Sequence, residues 1–151
     1  MPPAPSLTDV RFIVDEDSRG FGIWLSRLRK DMTCVGSEPV EHLLPLGTPD
    51  PTWIPLVAER GWIAITKNSK IRTQPREAAL AVEHGLRIAC LMEPVKGANR
   101  WDFAQMVMRH WDAIAALEDR DEATWLSVFR DRVKERPFQP GQPERAQTGR
   151  L

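Results

Sequence analysis

The sequence has no apolar run near the roughly 20 residues that a membrane-spanning helix needs. It has no excess charge of either sign, because 21 Lys and Arg are balanced by 21 Asp and Glu. The first absence argues against a transmembrane segment. The second removes any global electrostatic demand for nucleic acid or membrane, so affinity for either would have to come from a local patch. Cysteine is scarce. Cys34 and Cys90 both lie in apolar, strand-like runs without metal-ligand spacing, which reads as two reduced core thiols in a cytoplasmic protein. The opening residues Met1-Pro2-Pro3-Ala4-Pro5-Ser6 lack a charged region followed by an apolar one, so no signal peptide is expected. There is no glycine-rich phosphate loop, nucleophile elbow or internal repeat. His42, His84 and His110 are scattered, which speaks against a histidine-built metal or general-base site.

What remains is an ordinary globular composition, 42% hydrophobic and 28% charged over 151 residues, enough for one domain with a real core. Residues 1–8 are Pro-rich and expected to be flexible, residues 9–135 form the domain, and a disordered tail is expected over 136–151. Val10–Val14 reads as a strand, followed by a helix to about Lys30 with Phe21, Trp24, Leu25 and Leu28 on its apolar stripe. Met32–Val35 makes a second strand, and Gly36–Pro49 reads as a loop with one helical turn at most. Asp50-Pro51 opens a helix with Trp53, Leu56 and Val57 on its buried face, ended by Gly61. Trp62–Ile65 is a third strand, Pro75 to His84 a helix stopped by Gly85, and Leu86–Leu91 a fourth strand. Asn99 caps a helix to about Leu117, and a shorter helix carries Leu126, Phe129 and Val133. The alternation predicts an α/β three-layer sandwich with a mostly parallel four-stranded sheet and C-terminal helices.

Open α/β sheets place ligands beyond the carboxyl ends of their parallel strands. Asp15 and Asp17 follow the first strand, Asp50 opens the helix before the third, and Thr66-Lys67-Asn68 leaves the third strand directly. Gathered at one edge, such carboxylates suit Mg²⁺ or Mn²⁺, hard cations that prefer oxygen ligands. A metal so held activates water and stabilises in-line displacement at phosphorus. Each acid also has a plain structural use. Asp17 and Asp50 can cap helices, and Glu77 complements a helix dipole in a first turn. Asp15 has no such obvious use.

Four motifs carry a resemblance. An Asp after the first strand (Asp15) is followed by Gly47-Thr48-Pro49-Asp50-Pro51-Thr52-Trp53. Arg60-Gly61-Trp62-Ile63-Ala64-Ile65-Thr66-Lys67-Asn68 and Ile71-Arg72-Thr73-Gln74-Pro75-Arg76-Glu77 complete the set. This resembles the PIN-like domains of bacterial VapC-type toxins, over roughly Val10 to Phe138. The resemblance implies a metal-dependent endoribonuclease of a toxin–antitoxin pair, held silent by a cognate antitoxin, a small DNA-binding protein. By position, Asp15, Asp17 and Asp50 would bind Mg²⁺ or Mn²⁺, and Asp15, Asp17, Asp50, Asn68 and Glu77 would form the catalytic set. One position departs: the family usually has Asp after Thr-Lys, and Asn68 offers a carbonyl oxygen without charge. Lower metal affinity follows.

Lys67, Lys70, Arg72 and Arg76, with Arg19 near the first acids, could receive an RNA backbone, or could be a solvated charge run. Trp101, near a strand-to-helix loop, could stack on a base or join the core. The stripe that includes Met106 and Met108 could serve a homodimer or partner face, with core packing the plainer use. Two other readings compete with the nuclease. A PIN-like module could bind RNA or a protein without cleaving. A phosphoacceptor receiver domain also gathers acids, Thr and Lys at strand ends, yet here Asp50 opens a helix, and Thr66 and Lys67 are adjacent.

Overall fold

The computed structural model describes residues 6–141. Six strands form one sheet in the order β2-β1-β3-β4-β5-β6. They are β1 (Phe12–Val14), β2 (Met32–Cys34), β3 (Ile63–Thr66), β4 (Arg87–Leu91), β5 (Thr124–Val128) and β6 (Val133–Arg136). The first five are mutually parallel, and β6 returns antiparallel to β5. The helices are α1 (Arg19–Leu28), α2 (Asp50–Glu59), α3 (Lys70–Thr73), α4 (Pro75–His84), α5 (Arg100–Arg109) and α6 (Trp111–Ala115).

The central strands are apolar throughout because both their faces are covered. Phe12 and Val14 of β1, Ile63 and Ile65 of β3, and Ala89 and Leu91 of β4 point to a core shared with Phe21, Leu25, Phe103 and Val107. The alternate residues Ile13, Ala64 and Ile88 point to the opposite core, with Trp53, Ile54, Val57 and Ala81. Helices α1 and α5 thus lie on one face, α2 and α4 on the other. This is the three-layer α/β arrangement expected, consistent with a PIN-like fold, but with six strands instead of four.

Three expectations are corrected. The segment carrying Leu126, Phe129 and Val133 is not a helix but the hairpin of β5 and β6. All five residues of β5 are buried, so the strand lacks the two-residue alternation that distinguishes a half-exposed strand from a helix. The long helix from Asn99 is broken at His110 into α5 and α6, followed by a 3-10 turn at Ala116–Asp119. On α1 only Phe21, Gly22 and Leu25 are buried, while Trp24 and Leu28 are 64% and 69% exposed. The helix closes so tightly that a methyl group at Gly22 would stand 2.6 Å from Val14 Cγ1 and 2.8 Å from Cys34 Sγ.

The chain beyond Arg136 is tied down as far as it is described. Gln139 N donates to Arg72 O at 2.8 Å, and Phe138 meets Trp125 edge-on at 5.8 Å. The rest of the expected tail, 142–151, and residues 1–5 of the expected flexible start lie outside the described residues. Leu7–Asp9 forms a 3-10 turn. Among the described residues no helix is long and apolar enough to cross a membrane.

Candidate functional site

The chain runs from β1 to β2 at the sheet edge and then back across β1 to β3. The crossover directions reverse between β1 and β3, and in open parallel sheets that reversal opens a crevice at the carboxyl ends of the two strands. Val14 is in register with Ile65, so the next residues, Asp15 and Thr66, face each other at the mouth of the crevice. Asp15 N bonds Ile65 O at 2.8 Å, extending the ladder by one step.

Asp15 is held by two donors. Thr66 Oγ1 donates to its Oδ2 at 2.9 Å, and Glu16 N donates to its Oδ1 at 2.7 Å. Even so its pKa is pushed up to about 6, chiefly because burial disfavours the carboxylate and next because Asp17 repels it. Asp17 is more exposed. It accepts from Ser18 Oγ at 2.7 Å and lies 3.3 Å from Lys67 N. A short 3-10 turn, Glu16–Ser18, brings the two acids to one side.

The remaining acids stand further off. Asp50, first residue of α2, accepts from Trp53 Nε1 at 2.7 Å. After burial and Asp17, its charge makes the smallest contribution to raising the pKa of Asp15, so it lies at the same end of the sheet. Glu77 lies in the first turn of α4, which begins at Pro75, and among the described residues no hydrogen bond ties it to Asp15, Asp17 or Asp50. Asn68 serves its own turn. Its Oδ1 accepts from Lys70 N at 3.1 Å, and its backbone N–H donates to Thr66 Oγ1 at 3.0 Å. No group of three His, Cys, Asp or Glu side chains among the described residues is arranged to hold a metal ion. The expected set of Asp15, Asp17 and Asp50 is therefore not gathered into a three-carboxylate group among the described residues, and Asp15 and Asp17 are the two that meet at Thr66 Oγ1, at 2.9 and 3.4 Å.

Those two fit a hard divalent cation. The donors are all oxygen, the carboxylates repel one another, and no basic side chain is paired with either among the described residues. Mg²⁺ in particular is commonly held by one or two carboxylates, with water and substrate phosphate filling the shell.

The basic residues divide. Lys67 is exposed and its Nζ sits 4.9 Å from the centre of the Phe103 ring, over a cleft of about 590 Å³ that Asp17 also lines. Lys70 and Arg76 are exposed. Arg19 bonds Val35 O and, at 2.8 Å, Ser37 Oγ, which fastens the loop after β2. Arg72 is buried, donates to Pro137 O at 3.0 Å, and its pKa is lowered chiefly by desolvation. It lies beneath the chain after β6 and is corrected out of any RNA-facing patch. The histidines stay apart, with His84 near Glu59, His42 near Glu41 and His110 on Arg130 O. Burial raises the thiol pKa to about 11 at Cys34 and about 12 at Cys90, as core thiols require.

Glu16 and Arg100 join the site without having been marked by the sequence, and Thr66, noted there only at the strand end, joins it as the partner of Asp15. Thr66 is the single polar residue of β3, and its role depends on the β1–β3 register. Glu16 Oε1 accepts from Gly47 N at 2.6 Å and draws the 36–49 loop to the site. Arg100 lines the cleft, and nothing in its neighbours in sequence singles it out.

A family model described as a PIN like domain matches residues 24–93, a little under half of the chain. The match covers Asp50, Thr66, Lys67, Asn68 and Glu77 and begins beyond Asp15 and Asp17. No curated protein and no solved structure matches the chain significantly. Over residues 24–93 the chain is similar to the PIN like domain family, and the parallel sheet on which that segment lies supports a PIN-like domain.

Proposed function

We propose that this protein is a metal-dependent nuclease that hydrolyses phosphodiester bonds in RNA, and that it acts as the toxin of a VapC-like toxin–antitoxin pair. The observation that carries the nuclease reading is the pair Asp15 and Asp17 at the β1–β3 crevice. There the carboxylate of Asp15 is held by Thr66, and burial and the neighbouring Asp17 push its pKa up. Mg²⁺ or Mn²⁺ bound by this pair would supply an activated water and charge stabilisation at phosphorus. Thr66 orients Asp15, the Lys67 amide holds Asp17, and the Lys67 ammonium over the cleft attracts the RNA phosphate. The toxin assignment and the antitoxin partner rest on the motif resemblance. A small DNA-binding protein encoded beside this chain and co-purifying with it would support them.

The test is cleavage of single-stranded RNA by purified protein with Mn²⁺, with EDTA, and with Asp15→Asn. Cleavage that needs Mn²⁺ and is lost in Asp15→Asn supports the reading. Cleavage that persists in both controls ends it. A second reading, a PIN-like module that binds RNA or a protein without cutting, is favoured by Asn68, which brings no charge where the family pattern has Asp and whose Oδ1 is engaged by Lys70 N, and by the lack of any group of three ligands among the described residues. Mn²⁺-independent RNA binding without any cleavage would select it.

A further inference from the structure

Two large aromatic side chains stand out in solvent beside the site: Trp24 of α1 and Trp101 of α5 are 64% and 61% exposed. They wall a slot of about 220 Å³ floored by Gly20 and Ala104. Exposed tryptophans on one small surface are costly to leave wet and mark a binding face. Gly20, Phe21, Arg100 and Trp101 line both this slot and the larger cleft that reaches Asp17 and Lys67. The slot therefore adjoins, along these four residues, the cleft that Asp17 lines.

The charge in the cleft is unspent. Arg100 and Lys67 join no ion pair among the described residues. Lys67 is steered over the cleft by Phe103, itself stacked on Phe21 with ring centres 5.6 Å apart. Arg100 lies against the first turn of α1, where glycine leaves room for it: a methyl group at Gly20 would stand 2.5 Å from Arg100 Nε. Flat aromatic faces beside unpaired cations are what an unpaired base and its phosphate require. A protein partner would need neither cation beside the carboxylates.

The geometry points to a base-stacking subsite: the Trp24–Trp101 slot receives an unpaired base of single-stranded RNA, with Arg100 and Lys67 drawing its phosphate toward Asp15 and Asp17. The subsite deepens the nuclease reading and rests on it for the orientation of the strand. It selects single strands, because a paired base cannot present its face to Trp101.

Binding is measured by fluorescence anisotropy with a labelled eight-nucleotide oligoadenylate in EDTA, where a metal-dependent enzyme does not cut. Trp101→Ala should weaken binding roughly tenfold or more, and Trp101→Phe should keep most of it. An abasic oligomer of equal length and charge should bind about as poorly to wild type as oligoadenylate does to Trp101→Ala. Gly20→Ala, which displaces Arg100, should weaken both probes. Equal affinity of wild type and Trp101→Ala, or of the two probes for wild type, overturns the subsite. So does loss of self-association in Trp24→Ala and Trp101→Ala at unchanged RNA affinity, which would make the patch a protein face. Stacking without cleavage under Mn²⁺ keeps the subsite and removes the nuclease, while cleavage indifferent to both tryptophans does the reverse.

Discussion

Thr66 Oγ1 donates a 2.9 Å hydrogen bond to Asp15 Oδ2 across the carboxyl ends of two neighbouring parallel strands. The bond favours the ionised carboxylate, yet burial and Asp17 outweigh it, leaving the pKa near 6 instead of 3.8. The fold therefore carries an acid that is uncomfortable when charged. A raised carboxyl pKa means the folded state holds its proton more tightly than the unfolded chain. This stability is present at low pH and is lost as pH rises from about 4 to about 6. In metal-free protein Asp15→Asn should be more stable than wild type at pH 8, by on the order of 1–3 kcal/mol. The gain should shrink toward pH 4. Urea denaturation at both pH values measures it, and equal stability at pH 8 would show that the carboxylate carries no such burden.

On the proposed nuclease reading, the same titration would govern metal binding. A cation competes with the proton on Asp15, so Mn²⁺ affinity should climb as pH rises through about 6 and level off above it. Calorimetry in buffers of different ionisation enthalpy should detect proton release near pH 6 and little at pH 8. Asp15→Asn and Asp17→Asn should each cut affinity at least tenfold, and Asp50→Asn much less, since Asp50 is engaged by Trp53. An Asp50 variant as damaged as the other two would restore the three-acid site.

Arg72 and Lys67 should separate cleanly. Sequence places both in one basic stretch, but Arg72 is 7% exposed and bonded to Pro137 O, and Lys67 is open. Arg72→Ala leaves that carbonyl without its partner, costing about 1–3 kcal/mol. It should leave the salt dependence of RNA binding unchanged. Lys67→Ala should reduce the salt slope by about one with little loss of stability. Binding measured across a salt series decides between them.

Gly22 tests the packing of the layer that carries the site. An added methyl would press on Val14 and Cys34, one residue from Asp15 in the first case. Gly22→Ala should destabilise by about 1–3 kcal/mol through overpacking, despite alanine's better helix propensity. Thermal denaturation reads it, and a stabilised variant would show that α1 can ride outward.

The legible parts of the fold are those fixed by local chemistry. Gly61 and Gly85 end α2 and α4 with φ of +72° and +76°, Pro51 and Pro75 sit at helix starts, and the apolar runs of β3 and β4 are buried on both faces. What sequence misreads depends on neighbours far along the chain. The stretch carrying Leu126, Phe129 and Val133 looks helical by spacing, because β5, a strand covered on both faces, has no alternation to show. Arg72 looks like a surface cation until the residues after β6 fold over it. In the site, Asp15 and Asp17 are readable from the strand that ends before them. Thr66 requires the β1–β3 register, and the Trp24–Trp101 slot requires the packing of two helices about 80 residues apart in sequence.

Asn68 decides how far the local turn and the site compete. Its Oδ1 is taken by Lys70 N, which fastens the four-residue helix α3, while its N–H reaches Thr66 Oγ1. A carboxylate can accept the same Lys70 bond with one oxygen and present the other, so Asn68→Asp should fold as wild type and add a charge beside Asp15 and Asp17. Mn²⁺ affinity should then rise severalfold, because charge count sets affinity in oxygen sites. Asn68→Ala should lose the turn, at a cost of about 1 kcal/mol, and leave Mn²⁺ affinity as it is. Calorimetric titration of the three proteins separates the roles. Should Asn68→Asp bind Mn²⁺ no better than wild type, this position belongs to the α3 turn alone, and the metal rests on Asp15 and Asp17.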